Sequence, residues 1–199
     1  MQIYELFPTT VVKTKMAIDM PPEVVKYIKT STRRPNFANS TSFESKILDL
    51  LEFATIKNEV TLAFKNYLDT IIVPKNDVEV GITQSWINWT ENGQAHHEHN
   101  HSNSYLSAVV YLEAYEEDKI TFATREYKQL DIETKEPSIH NATSWWVGVE
   151  TGDIVIFPSK LLHYVEPRED LQGTRISLAV NMIPRGKIGD SARLTELYL

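Results

Sequence analysis

The sequence contains no cysteine among its 199 residues. Disulfide bonds, thiolate metal sites and a cysteine nucleophile are therefore excluded, and any metal must be bound by imidazole and carboxylate groups. Such ligands suit Fe(II), Mn, Ni, Cu or Zn. A chain without cysteine also fits a reducing compartment, and we expect a cytoplasmic protein.

Long hydrophobic runs and an excess of positive charge are also missing. Nowhere do eighteen apolar residues follow one another, and no basic and apolar leader follows Met1, so we expect no membrane partner. The chain has 20 Lys and Arg against 27 Asp and Glu, with a net charge of −7. This balance argues against a broad phosphate-binding surface, so we expect no nucleic-acid partner. The sequence does not indicate the oligomeric state.

The chain has the length of one domain, which we predict over residues 1–199. A helical N-terminal portion at 19–75 is predicted to precede a core of strands at 78–185. A short helix at 23–30 follows two prolines, whose missing N–H groups are tolerated at a helix start. A longer helix is predicted by apolar residues at i, i+4 spacing, namely Ile56, Val60, Phe64 and Leu68.

From residue 78 the sequence consists of short β-branched and aromatic runs separated by turn residues, a pattern typical of an antiparallel sandwich or barrel. Strands are predicted at 78–89, 105–112, 120–123, 144–149, 153–157 and 175–183. A further strand at 3–12, with a break at Pro8, is predicted at a sheet edge. Two polar segments, 31–42 and 130–143, are predicted as loops long enough to cover the mouth of a sandwich.

Four of the six histidines lie between residues 96 and 101, immediately before a predicted strand. Alternate residues of an extended chain point to the same side, so His97, His99 and His101 are predicted to share one face. His96 and Glu98 are predicted on the other face. This spacing favours a metal site over the simpler interpretation of a solvated polar loop.

Two further features follow the histidine cluster along the chain. The predicted strand at 153–157 turns at Pro158 and is followed by His163, and Arg175 opens the last strand twelve positions later. The guanidinium fork of arginine matches a carboxylate, and Ser177 on the same strand face adds a hydroxyl donor. On its own, Arg175 would be interpreted as a surface residue.

These features in this order resemble the 2-oxoglutarate- and Fe(II)-dependent oxygenases. One subfamily carries H-x-H-x-N-S-x-L-S-G-V-Y-Y-L, then G-x-L-x-x-F-P-S-x-L-x-H-x-V, then R-x-S-x-x-x-N. The corresponding stretches here are 99–112, 152–165 and 175–181, and the opening at 6–11 is similar as well. Two positions depart from the pattern, because Ala108 replaces its glycine and Val110 replaces an aromatic residue.

The resemblance implies a double-stranded β-helix, or jelly roll, with helices packed on one sheet. It also implies Fe(II) as cofactor, 2-oxoglutarate and O₂ as cosubstrates, and hydroxylation of an unidentified substrate with release of succinate and carbon dioxide. The protein would then contribute positioning and the exclusion of water.

The resemblance further implies that His99 and His163 are iron ligands. The third position, where H-x-D enzymes have a carboxylate, is occupied by His101. Three alternatives stay open: His101 is the third ligand, Glu98 turns in to bind, or water fills the position. We prefer His101, which would make the site more cationic by one unit, although it could instead contact the substrate or orient a ligand.

The same resemblance assigns the distal carboxylate of 2-oxoglutarate to Arg175 and Ser177. Tyr111 is a candidate second donor, and a buried tyrosine bonded to the backbone is the alternative. Two other functions are compatible with a metal site. A jelly-roll metal-binding module without redox activity would not need Arg175, and a metal-dependent hydrolase would need a general base, for which Glu98 is the candidate.

Overall fold

The computed structural model describes residues 1–125, 130 and 132–199. Two α-helices are present in these ranges, α1 (Pro22–Thr30) and α2 (Ala54–Tyr67). The strands are β1 (Val12–Lys15), β2 (Arg33–Pro35), β3 (Ser40–Ser42), β4 (Val78–Thr90), β5 (His96–His99), β6 (Leu106–Glu113), β7 (Lys119–Ala123), β8 (Ser144–Gly148), β9 (Asp153–Pro158), β10 (Leu162–Val165), β11 (Arg175–Ile188) and β12 (Leu197–Tyr198). No helix in the described ranges is long and apolar enough to span a membrane.

The strands form two antiparallel sheets. The larger sheet has the order β1-β9-β6-β11-β4-β3-β2, with β12 paired to the end of β11, and the smaller sheet has the order β5-β10-β7-β8. From β4 onwards the chain passes repeatedly from one sheet to the other. This alternation is the double-stranded β-helix, or jelly roll, that the sequence predicted.

Side-chain alternation along β11 separates the apolar core from the site. Its even-numbered residues belong to the core shared with the helices: Ile176, Leu178, Val180 and Met182. Arg175, Ser177 and Ala179 instead line a cavity. Since successive side chains of a strand point to opposite faces, one strand serves both purposes. A second, smaller apolar cluster packs beside the cavity and includes Tyr111, Phe122 and Phe157.

The helices cover the other face of the larger sheet. Helix α1 begins at Pro22, and the indole N–H of Trp89 donates to the carbonyl of Ile28 near the end of this helix, at 3.2 Å. In α2, the residues predicted to form the apolar stripe are all buried, and they extend to Leu68 just beyond the helix. A π-helical turn, Leu68–Ile72, ends this segment.

Two local predictions are wrong, and three short strands were missed. Residues 3–11 form no strand, and the strand at the sheet edge is Val12–Lys15 instead. The predicted loop at 31–42 contains the hairpin of β2 and β3, which extends the larger sheet beyond β4, so the portion at 19–75 is not purely helical. The short strands β5, β10 and β12 were not predicted as strands. Within the second predicted loop, 130–143, residue 131 lies outside the described residues.

Candidate functional site

Two neighbouring strands of the smaller sheet bring three histidines together. His163 on β10 lies directly opposite His99 on β5, and their ring centres are 4.3 Å apart. His101 follows β5, and its backbone N–H donates to the carbonyl of Ser159 at 2.9 Å. One ligand nitrogen from each of the three rings lies within 4.8 Å of the others. The trio His99, His101 and His163 is therefore close enough to share one metal ion.

Backbone carbonyls select the tautomers of two of these rings. The Nδ1 atom of His99 lies 2.8 Å from the carbonyl oxygen of His97, and Nδ1 of His163 lies 3.0 Å from that of Leu161. Because a carbonyl only accepts, each Nδ1 carries the proton and donates it. The Nε2 lone pairs of His99 and His163 are consequently available to a metal.

The third ring faces the second across a short gap. Nε2 of His101 lies 3.3 Å from Nε2 of His163. Burial lowers the pKa of His101, side-chain hydrogen bonding with the neighbouring amide of Asn181 raises it, and the indole of Trp86 stacks on the His101 ring at 5.5 Å. Ser107 donates to Asn181 at 2.9 Å, which holds the amide in place. His101 is thus oriented from two sides, as metal-binding histidines commonly are.

Burial keeps the trio in its neutral form. Desolvation, together with the charge of neighbouring histidines, lowers the pKa of His163 to about 2 and that of His101 to about 4. Desolvation also lowers the pKa of His99. Neutral imidazole is the form that binds metals, so these rings need not lose a proton at neutral pH to do so.

A β-bulge in β5 changes the faces that its histidines occupy. His99 pairs with His163 and His96 pairs with Val165, so three steps on β5 match two steps on β10. His96 consequently lines the same cavity as His99, whereas His97 is exposed and its ring lies 5.1 Å from that of Phe37. The predicted assignment of His97 to the face of His99, with His96 opposite, is wrong.

The cluster offers a second possible ligand set. Nitrogens of His96, His97 and His99 also lie within 4.8 Å of one another. This set shares His99 with the trio, includes the exposed His97, and contains His96, whose Nδ1 lies 3.1 Å from the amide nitrogen of Asn39. The amide nitrogen donates, so Nδ1 of His96 accepts and its proton resides on Nε2. The buried trio is therefore the better metal site.

Glu98 lies outside both groups. Its Oε1 atom accepts from Nε and Nη2 of Arg125, at 3.0 and 2.8 Å. The carboxylate is thus occupied by a surface cation in this arrangement. The structure brings His101, and not Glu98, to the position beside His99 and His163.

Arg175 lies on the opposite wall, at the first position of β11. It is 4% exposed, and its Nη1 is 3.4 Å from Oδ1 of Asp118. The same carboxylate oxygen lies 3.2 Å from Arg168, and the Asp118 side chain is fully buried. Burial lowers the pKa of Arg175 while Asp118 raises it. Arg168 is also paired with Asp170, at 3.1 Å, so Asp118 is shared and Arg175 keeps donors that can bind an anion in the cavity.

Ser177 and Tyr111 complete this wall. They face each other in the ladder between β11 and β6, and burial raises the pKa of Tyr111 above its ordinary value. Both residues line the cavity together with Arg175 and the histidine trio. The candidate metal-binding nitrogens thus lie on or just after strands of the smaller sheet, and the candidate carboxylate donors lie on the larger one.

Sequence reasoning did not single out four other residues of the site. Asn88 and Thr90 line the cavity from β4, Trp86 lies two positions before Asn88, and Asn181 supports His101. Only Asn181 had a signal, because it ends the R-x-S-x-x-x-N motif. The alternation of β4 would have placed the other three on the face opposite Trp89.

Several solved structures share this fold. An oxidoreductase of the 2OG-Fe(II) oxygenase family from Burkholderia pseudomallei is 14% identical with a TM-score of 0.58, and the match covers 86% of this chain and 83% of that one. A prolyl-4-hydroxylase from Pseudomonas putida is 12% identical with a TM-score of 0.60, covering 89% and 94%. HygX from Streptomyces hygroscopicus, solved with nickel, 2-oxoglutarate and hygromycin B, is 13% identical with a TM-score of 0.60, covering 87% and 82%.

The fold and the histidine trio define a jelly-roll protein with a candidate mononuclear metal centre. Residues 84–181 match the family described as "Putative 2OG-Fe(II) oxygenase". The matched range contains all three histidines, Arg175, Ser177 and Tyr111. The match covers 98 of the chain's 199 residues, and together with the shared fold it supports a 2-oxoglutarate- and Fe(II)-dependent oxygenase with Fe(II) as cofactor and 2-oxoglutarate as cosubstrate. A comparison with curated protein sequences found no match.

Proposed function

We propose that this dioxygenase hydroxylates a substrate still to be identified, with iron bound by His99, His101 and His163. The distal carboxylate of 2-oxoglutarate is bound by Arg175, with Ser177 and Tyr111 as further donors. The observation that supports this assignment is the single cavity lined by the histidine trio at one wall and by Arg175 at the other. One elongated ligand can then reach both the metal and the guanidinium.

The donor set fits Fe(II). Three neutral imidazoles with fixed or supported orientations are ligands that Fe(II) accepts, and the protein offers no thiolate. Replacement of the usual carboxylate by His101 leaves the site more positive by one charge. A dianionic cosubstrate compensates part of that charge when it binds.

The side chains of the cavity provide binding and orientation. Arg175 holds one end of the cosubstrate through charge-assisted hydrogen bonds, which are stronger in a buried site than in water. Apolar wall residues, including Val109 and Ile120, limit the access of water. When bound, Fe(II) and 2-oxoglutarate supply the oxidative chemistry, in which O₂ converts the cosubstrate to succinate and carbon dioxide and provides one oxygen atom to the substrate.

The hairpin of β2 and β3 is our candidate for substrate recognition. It is held beside the cavity by Asn39, which is bonded to His96, and it presents Phe37 with 82% of its surface exposed. The chemistry of the substrate is not specified by these contacts. A cytoplasmic location and a single domain over residues 1–199 stay predictions from the sequence.

Turnover without the primary substrate tests the proposed function. We expect the Fe(II) protein to convert 2-oxoglutarate slowly to succinate in air, because cosubstrate oxidation needs no group outside the cavity. Removal of a metal ligand in His163→Ala should abolish this turnover. The matched control is His97→Ala, which removes an exposed histidine of the same cluster and should leave succinate formation unchanged.

Absence of succinate from the wild-type protein would leave two explanations that a binding experiment separates. A tightly coupled oxygenase still binds 2-oxoglutarate to the anaerobic Fe(II) protein. A metal-binding module without redox activity has no reason to do so, and failure to bind would contradict the proposal.

A further inference from the structure

Asn88 lies on the cavity wall between the residues assigned to the cosubstrate. It is directly opposite Ser177 in the ladder of β4 and β11, and its neighbour two positions on, Thr90, is opposite Arg175. Ile87 and Trp89 point to the helical side and belong to the apolar core. Asn88 therefore points into the cavity with Arg175, as its place in the lining shows.

The side-chain oxygen of Asn88 has no partner in the described part of the protein. The residue is 2% exposed, and its Oδ1 atom is buried with no hydrogen-bond partner among the described residues. One other buried side-chain atom in those ranges lacks a partner, the hydroxyl of Ser31 at the end of α1. Since buried polar groups are almost always hydrogen-bonded, an unpaired amide beside a cavity indicates a ligand.

Comparable asparagines in the same region are bonded. Asn39 lies 3.1 Å from His96, and Asn181 accepts from Ser107 and donates to Gln84 at 3.3 Å. These two side chains orient protein groups. Asn88 has no such task within the described structure, and its position beside Arg175 distinguishes it from them.

The chemistry of the neighbouring residues selects the ligand group. A carboxylate offers about four lone-pair positions, of which an arginine fork occupies two, so further neutral donors can be accommodated. The two ends of an amide have nearly the same shape, and rotation of the Asn88 side chain presents its NH₂ group to a carboxylate. A second cation would add charge, whereas an amide adds a hydrogen bond without changing the charge of the site.

We infer that Asn88 is a further cosubstrate-binding residue, whose amide donates to the distal carboxylate of 2-oxoglutarate beside Arg175. This inference rests on the proposed function. It adds a residue from β4 to a subsite otherwise built from β6 and β11.

Affinity for 2-oxoglutarate, measured by calorimetry on the anaerobic Fe(II) protein, tests the inference. Asn88→Leu keeps a similar volume without hydrogen-bonding groups, and we expect the Kd for 2-oxoglutarate to rise about tenfold, as for the loss of one hydrogen bond. Asn88→Asp should weaken binding more, because its carboxylate repels that of the ligand. The affinity for Fe(II) should be unchanged in both variants.

Thr41→Val is the matched control. Thr41 is buried opposite Asn88 in the ladder of β3 and β4, but its hydroxyl donates to the carbonyl of Ile87 at 3.0 Å. This variant also removes a buried polar group next to β4, and its 2-oxoglutarate affinity should equal that of the wild type.

Wild-type affinity for 2-oxoglutarate in a folded Asn88→Leu protein would overturn the inference. If Arg175→Ala loses affinity in the same experiment, the inference alone fails, since the site is then correct without Asn88. If Arg175→Ala also binds normally, the proposed site fails with it. If Asn88→Leu does not fold, wild-type affinity for 2-oxoglutarate in a folded Asn88→Asp protein would overturn the inference instead.

Discussion

His101 occupies the position at which an H-x-D pattern places a carboxylate, and its surroundings suit a ligand. Trp86 stacks on the ring, Asn181 is bonded to it, and His163 faces it at 3.3 Å. Sequence spacing and the order of the family motifs predicted that His99, His101 and His163 would converge, and the structure brings them together. The stacking of Trp86 on His101 was not predicted, because a tryptophan in a strand usually packs in a core, although the alternation of β4 places Trp86 on the cavity face.

Arg175 gives the sharpest prediction at the scale of single residues. Arg175→Ala should weaken 2-oxoglutarate binding by about 2–5 kcal/mol, the usual cost of losing one partner of a buried charge pair. Fe(II) affinity should change little, because the guanidinium lies on the wall opposite the histidines. Titrations of each ligand against wild type and variant provide the measurement, and an equal loss of both affinities would contradict the assignment.

Elements with a strong hydrophobic period were predictable, and short or irregular elements were not. The helix at Ala54–Tyr67 and the long strands β4, β6 and β11 were predicted within a few residues, except that β11 extends to Ile188. The strand β5 was missed because its four residues are polar, and its bulge depends on pairing with β10. The β2 and β3 hairpin was missed because strands of three residues are too short to show an alternation of apolar and polar residues.

The packing of α2 on the larger sheet predicts a stability difference along one helix. Phe64 is fully buried in the core, so Phe64→Ala should lower the free energy of unfolding by about 3–5 kcal/mol. Leu62, on the same helix, is 57% exposed, and Leu62→Ala should cost no more than about 0.5 kcal/mol. Urea denaturation of both variants checks this. A loss in Phe64→Ala as small as in Leu62→Ala would show that α2 is not packed as described.

The whole molecule combines a net negative charge with a buried arginine in its cavity. The net charge is −7, whereas Arg175 lies buried at one end of the site, where it is paired with Asp118. An anionic cosubstrate is therefore attracted only close to the site, because physiological salt screens the electrostatic effect of exposed charges beyond about 8 Å. The jelly roll provides this arrangement by placing the histidine trio at the smaller sheet and Arg175, Ser177 and Tyr111 on the larger one.

The most direct test of the account is an anaerobic titration of the apoprotein with Fe(II), with and without 2-oxoglutarate, followed by visible absorption. A bidentate keto-acid on Fe(II) gives a metal-to-ligand charge-transfer band. We predict that the band appears only when both components are present and saturates at one iron per chain, because one histidine trio binds one ion. Binding of Fe(II) without any band in the presence of excess 2-oxoglutarate would contradict the assignment of a shared metal and cosubstrate site.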